Sequence, residues 1–320
     1  MASLSTNLSQ QIIALAEGLG FDACGIAKAD FLEEDAERVE VWLGEGSQGE
    51  MDYLTRNKEK RYDPRLLNEG TKTVVSVLYN YYPKQFLSFE NNYKIAKYAY
   101  GEDYHDVVKQ KLRELLGKIE SLTGKLENTR IFVDSAPVLE RAWAVRCGLG
   151  FIGKNTCLIH PQKGSFFFLG QLLLPVEIEP VGKLISNHCG RCTRCLDACP
   201  TGALKAPFQL DARKCISYLT IEYKGDFGKA DTNFNDWIYG CDICQDVCPY
   251  NRFSLPNCEE KFQPTEKLIA MKKEDWQNLN KDQFLELFGK SAVKRAGFEG
   301  LKRNIQSMVK GDELLVMSEW

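Results

Sequence analysis

Apolar residues recur at helical spacing near the start of the chain, where Leu8, Ile12, Ile13, Leu15, Ala16 and Leu19 gather on one side and Gly18 and Gly20 close the run. The pattern predicts an opening amphipathic helix from Leu8 to Gly20. TVVSVL, Thr73 to Leu78, is a short apolar run rich in β-branched residues, and RIFV, Arg130 to Val133, is another; both predict buried strands. Between them, Val107 to Leu122 mixes charged and apolar residues at a helical period. Strand, helix and strand in this order predict an α/β (α+β) layer.

Glycine then becomes dense. Gly148, Gly150, Gly153, Gly164 and Gly170 surround the apolar runs CLI and SFFFLGQLLL, so the backbone must turn tightly or approach something closely there. Pro175 and Pro180 flank an acidic VEIE linker, and beyond it the composition changes abruptly to cysteine. These shifts predict a first domain over 1–180, a cysteine-rich domain over 181–261 and an amphipathic helical segment over 262–320.

The 320 residues, 44% hydrophobic and 27% charged, suit a folded chain with room for more than one core. MASLSTNLSQ has neither a positive n-region nor an apolar h-region, and no window reaches the roughly eighteen apolar residues of a membrane span. A cytoplasmic address and no membrane partner are expected. A net charge of -3 gives no global sign of nucleic-acid binding, so any RNA would have to meet a local patch.

Twelve cysteines in a reducing compartment point to metal or cluster ligation rather than disulfides. HCGRCTRCLDACP places Cys189, Cys192, Cys195 and Cys199 in the spacing C-x2-C-x2-C-x3-C-P. This is the bacterial two-cluster ferredoxin run, in which three thiolates wrap one cubane and the fourth reaches the other. A second run, Cys241, Cys244 and Cys248, is one cysteine short, and Cys215 is the natural substitute. Crossed ligation follows: Cys189, Cys192, Cys195 and Cys248 for one 4Fe-4S cluster, and Cys199, Cys215, Cys241 and Cys244 for the other. Paired zinc sites are the competing reading, although zinc ribbons rarely use three cysteines in strict succession before C-P. Cys24, Cys147, Cys157 and Cys258 are expected to be small buried hydrophobes.

Several longer segments carry a resemblance: EKRYDPRLL (59–67), KYAYGEDYHDVV (97–108), FVDSAPVLERAWAVRCGLGFIGKNTCLI (132–159), GSFFFLGQLLL (164–174), and the cysteine region from His188 to Pro249. With these stretches the chain resembles the epoxyqueuosine reductases, cobalamin-dependent enzymes that complete queuosine in tRNA. The resemblance implies a base-off cobalamin in the first domain, near one cluster, with electrons passing from clusters to cobalt to substrate. It also implies a tRNA carrying epoxyqueuosine as partner, served by a ferredoxin- or flavodoxin-like donor, the chain acting as a monomer. Family members often end in HEAT-like repeats, whereas this sequence stops at Trp320.

Within that resemblance Asp134, which follows the strand RIFV, matches the family's proton donor. Acting near neutral pH would require its pKa to be raised, which an apolar pocket roofed by the corrin could do by desolvation. The plainer reading makes Asp134 or Ser135 a helix cap before Pro137 and Glu140. A corrin carries amide arms and a phosphate, so Lys154, Asn155, Thr156, Gly164 and Ser165 are candidate contacts, joined by Arg61, Lys97, Tyr98, Tyr104 and His105. His105 is not expected to ligate cobalt, and neither His160 nor His188 has a ligating pattern. Ser217, Tyr218, Tyr239 and Asp242, beside ligand cysteines, are placed to bridge the second cluster and the corrin, or merely to tune cluster sulfurs.

Cations for an RNA are Arg191, Arg194, Lys205, Arg213, Lys214, Lys224 and Lys229, with Lys290, Lys294, Arg295, Lys302 and Arg303 later in the chain. The modified base would be flipped out and stacked on an aromatic wall. A reductive dehalogenase shares the cofactor plan, but that class normally carries a twin-arginine signal, which MASLSTNLSQ lacks. A plain electron carrier would leave the first domain unexplained.

Overall fold

The computed structural model describes residues 2–227 and 234–318, with side chains described from 8 to 309 within those ranges. Helix α1 (Ala2–Gly18) leads into strand β1 (Ala23–Lys28), followed by β2 (Thr73–Asn80), helix α2 (Tyr104–Thr123), β3 (Arg130–Phe132), the short helix α3 (Glu140–Arg146) and β4 (Phe167–Leu174). The strands form one sheet in the order β1-β2-β4-β3, with every neighbouring pair antiparallel. Because β2 and β3 both run against β4, they are parallel to each other. The predicted strand-helix-strand unit is therefore real, with β4 inserted between its strands.

Alternation along β2 explains its unbroken apolar run. Val75, Val77 and Tyr79 pack with Leu172 and Leu174 under α1 and α2, meeting Ile12, Ala16, Leu112 and Leu115. Val74, Leu78 and Leu173 point the other way, onto Trp143 and Ala144 of α3. Both faces are covered, so neither can be polar. A fully buried leucine such as Leu112 contributes roughly 1.5–3 kcal/mol through burial alone. At Gly170 a side chain would collide with Leu112 and Val108, so this glycine lets α2 lie close on β4.

The helix ends differ from the sequence reading for local reasons. The Asp103 carboxylate accepts from the His105 amide, which starts α2 at Tyr104 rather than Val107. The first helix ends at Gly18, and the chain reverses through Gly20 at φ 89°.

A second core joins parts of the chain that are distant in sequence. Lys94–Ile95 pairs in parallel with Trp237–Tyr239, and around this pair gather Tyr93, Ile95, Trp237, Trp276, Phe288 and Leu301. The helical tail is observed as predicted, in pieces that include Lys281–Phe288. That helix opens on a capping box in which Asn280 and Gln283 each accept from the other's amide. Residues 87–100 are thus cemented to the cysteine-rich region and the tail.

Candidate active site and cluster ligands

Each cysteine run folds as a turn entering a one-turn helix, Arg194–Asp197 in the first and Ile243–Asp246 in the second, and the two turns pack together. Proline after Cys199 and Cys248 stops each helix and turns that cysteine away from its own run. Cys248 consequently lines a cavity of about 240 Å³ together with Cys189, Cys192 and Cys195. The remaining four thiols, Cys199, Cys215, Cys241 and Cys244, lie near one another, with Cys157 beside Cys244. Burial pushes the Cys241 thiol up to about 12, so it is a thiolate near neutral pH only when a metal withdraws its proton. No twelve-cysteine disulfide network exists; every cysteine is free. Among the described residues no three His, Cys, Asp or Glu side chains converge on a single ion. Two sets of four thiols suit cubanes as a donor set.

Of the other cysteines, Cys24 and Cys147 are buried as expected. Cys258 is exposed, against expectation, because it sits in the irregular stretch leading to Glu260 rather than in a core. Cys157 lies half-buried against Cys244.

The glycine-rich segment turns out to be a clamp on both cysteine loops. The Lys154 ammonium donates to the carbonyls of Gly190 (2.7 Å) and Cys192 (2.9 Å), and the buried Asn155 amide donates to Cys244 (3.3 Å). Thr156, at φ 64°, gives its carbonyl to Arg141. Gly164, at φ 83°, leaves no room for a side chain beside Asn251, whose amide oxygen accepts from the Ser165 N–H at 2.6 Å. The Lys97 ammonium is buried and engaged with Asp246 (2.6 Å) and Asp242 (3.4 Å), while its own N–H donates to Asp242 at 2.8 Å. Desolvation opposes its charge, but the two carboxylates outweigh that and hold Lys97 protonated. Most polar groups of Lys97, Lys154, Asn155, Ser165 and Asp242 therefore tie the sheet domain to the cysteine loops. Arg61 differs: among the described residues its Nε is buried without a partner, and its guanidinium reaches only the Tyr53 carbonyl at 3.3 Å. The hydroxyls of Thr156 and Ser217 make no hydrogen bond among the described residues.

Asp134 leaves the end of β3 at φ 48°, a left-handed conformation that aspartate tolerates. Its N–H donates to Glu140 at 2.8 Å, and its carboxylate accepts from the Tyr104 hydroxyl at 2.5 Å. Tyr104 stacks on Phe168, with ring centroids 4.3 Å apart, and on His105. His105 Nε2 lies 3.9 Å from Asp134, while its Nδ1 is 2.7 Å from Asp103. Burial works against the charge of Asp103, but bonds from His105 and Lys294 prevail and hold its pKa well below the ordinary range. Tyr98 and Tyr239, hydrogen-bonded to each other, continue the aromatic wall towards the second thiol group.

One expectation about Asp134 is corrected: it is not a helix cap, because α3 begins only at Glu140, with Leu139 at the cap position. Its side chain is 65% exposed, since the loop after β3 carries it to an open rim. The enclosed carboxyl is Glu140, which burial, and then the Asp134 charge, push up to about 8. The sequence reading also passed over Tyr53 and Glu222 near Asp134; Arg295 forms a paired bond to Glu222 (2.6 and 3.0 Å) and lies over the Tyr53 ring. No local motif marks them, because they come from three distant segments.

A raised folded pKa means that the native state prefers neutral Glu140, so ionising it erodes stability progressively as pH rises from the unfolded value near 4.3 towards about 8. Glu140→Gln keeps an oxygen for the Asp134 N–H and removes that penalty. Chemical denaturation should find the variant equal to the parent near pH 4 and more stable near pH 8, by up to a few kcal/mol; a difference independent of pH would contradict this.

Among cations considered for RNA, Lys205, Arg213, Lys294 and Arg295 are ion-paired. Lys224, Lys302 and Arg303 donate to backbone carbonyls. Arg191, Arg194, Lys214 and Lys290 are exposed and make no ion pair among the described residues. Lys229 lies outside the described residues.

Residues 188–251 match the model of a 4Fe-4S double cluster binding domain, and residues 61–135 match that of epoxyqueuosine reductase QueG, DUF1730. The epoxyqueuosine reductase of Cellulophaga algicola is 48% identical over 298 residues, covering 93% of this chain and 96% of its own length. The chain belongs to the epoxyqueuosine reductase family. Solved epoxyqueuosine reductases agree with it in three dimensions. One with an epoxyqueuosine-modified tRNA-Tyr stem loop superposes with a TM-score of 0.84 at 31% identity, covering 94% of this chain and 80% of that one. Another, from Bacillus subtilis and with its catalytic aspartate loop swung out of the active site, has a TM-score of 0.81 at 30% identity with the same coverage. As a member of this cobalamin-dependent family with a double-cluster domain, the chain carries two 4Fe-4S clusters and takes cobalamin. No helix among the described residues is long and apolar enough to cross a membrane.

Proposed function

We propose that the chain reduces epoxyqueuosine to queuosine at the wobble position of a tRNA anticodon loop, with Asp134 delivering a proton to the departing oxygen. The reaction consumes two electrons and two protons and releases the epoxide oxygen as water. Bound cobalamin supplies the reducing equivalents to the substrate. Cys189, Cys192, Cys195 and Cys248 hold one cluster, and Cys199, Cys215, Cys241 and Cys244 the other.

The observation that carries this reading is the Tyr104–Asp134 bond on an open rim, backed by a wall of tyrosines that ends at the second thiol group. Tyr104 aims the carboxyl, the Glu140 bond fixes the loop that bears it, and exposure leaves it free to meet a flipped nucleoside. Arg61, whose Nε lacks a partner, and Thr156 and Ser217, whose hydroxyls make no hydrogen bond among the described residues, are the candidate contacts for corrin amides or phosphate; Tyr98, Tyr104 and His105 line the adjoining wall. Lys97, Lys154, Asn155, Gly164, Ser165 and Asp242 serve chiefly to hold the cysteine loops in place. The exposed Lys214 and Lys290 are free to meet phosphates. Each cubane passes one electron at a time, so a ferredoxin- or flavodoxin-like donor suits it. One chain supplies every residue named here and works as a monomer, in the reducing cytoplasm where its thiols survive.

Expression in a bacterium that accumulates epoxyqueuosine tests the reading. Nucleoside mass spectrometry of its tRNA should find queuosine restored by the parent chain; persistence of the epoxide with well-expressed, cluster-loaded protein would refute it.

A further inference from the structure

The cavity formed by Cys189, Cys192, Cys195 and Cys248 opens on a face that shares none of its lining residues with the neighbours of Asp134. Arg194 and Arg252 border it, and Arg191 stands next to Cys192; all three are exposed and without an ion pair among the described residues. Of the acids beside them, Asp246 is ion-paired with Lys97, while Asp197 accepts from Thr193 at 2.7 Å and keeps its charge, so three arginines stand against one unpaired carboxylate. The Arg252 guanidinium lies 4.5 Å over the ring of Phe253, which is 42% exposed, and Leu255 beyond it is 73% exposed. Arg194, Arg252 and the partly exposed Phe253 thus line the same cavity as the four thiols.

We propose that this face docks the electron donor, a small acidic one-electron carrier protein, and that electrons enter the chain at the cluster held by Cys248. The inference rests on the function proposed above and adds the place of entry. Its physical basis is complementarity: unpaired arginines steer an acidic partner and set the encounter rate, and a small apolar centre holds it. Each docking passes one electron from the carrier to this cluster, oxidising the carrier and reducing the cluster by one, and two dockings serve one epoxide. Arg191 and Arg194, candidate RNA contacts by sequence, are assigned to the donor.

The test uses the holoenzyme with Arg252→Glu and with Arg191→Glu/Arg252→Glu, driven either by reduced flavodoxin or by dithionite. At low salt the flavodoxin-driven rate should fall at least tenfold and lose its salt dependence, Arg252→Lys should restore it, and dithionite-driven turnover should be unchanged. An unchanged flavodoxin-driven rate overturns the proposal. So does an equal loss under dithionite at limiting tRNA, which would mark the face as an RNA contact. Bleaching of cluster absorbance by flavodoxin, followed without tRNA, gives the same comparison even if the chain has no activity on epoxyqueuosine, which keeps the two readings separable.

Discussion

Holoenzyme carrying Asp134→Asn should keep both clusters and its cobalamin yet turn over epoxyqueuosine-tRNA about a hundred- to ten-thousand-fold more slowly, the usual weight of a positioned general acid. Asparagine preserves the shape, can still accept from Tyr104 and offers the same N–H to Glu140, so the loop keeps its anchors. What it lacks is a proton to give. Iron content, the corrin spectrum and single-turnover rate, measured on one preparation, separate the possibilities. Loss of cobalamin along with rate would reduce Asp134 to a structural role, and retention of rate would remove it from the chemistry. Tyr104→Phe should cost less than Asp134→Asn, since it frees the carboxyl without deleting it.

The second large effect concerns crossed ligation. Cys248→Ser lies in the second cysteine run but should destroy the cluster whose other ligands, Cys189, Cys192 and Cys195, belong to the first. Iron should drop from about eight to about four per chain. The surviving cluster should be the one served by Cys199, Cys215, Cys241 and Cys244. Cys199→Ser should do the converse and spare the first. Adding Cys192→Ser to Cys248→Ser should therefore remove no more iron than Cys248→Ser alone, whereas adding Cys241→Ser should remove nearly all of it. Uncrossed ligation predicts the opposite pairing of effects, so the double variants decide.

The cysteine spacing was legible because it is local: three residues of separation and a following proline dictate which thiols share a turn, and the packing of the two turns does the rest. The strands β2 and β3 and the helix between them were legible for the same reason, since a run buried on both faces cannot be polar. That β4 separates the strands was not, because strand order depends on pairings between segments about a hundred residues apart. The site was read unevenly. Asp134 was found through a motif, but its exposure, and the transfer of burial to Glu140, follow from how the loop leaves the sheet. Lys97, Lys154 and Asn155 were chosen as polar groups for a cofactor; they also make bonds across the domain junction, and composition cannot tell a ligand contact from a clamp.

The proposed flow of electrons from two four-thiol clusters through cobalamin to the epoxide, with Asp134 as the acid, can be tested directly. Anaerobic protein loaded with both clusters should be given epoxyqueuosine-tRNA and a low-potential reductant, with and without cobalamin, and its nucleosides quantified by mass spectrometry. Queuosine is expected only in the reaction containing cobalamin; equal conversion without it, or none with it from fully loaded protein, would contradict this route.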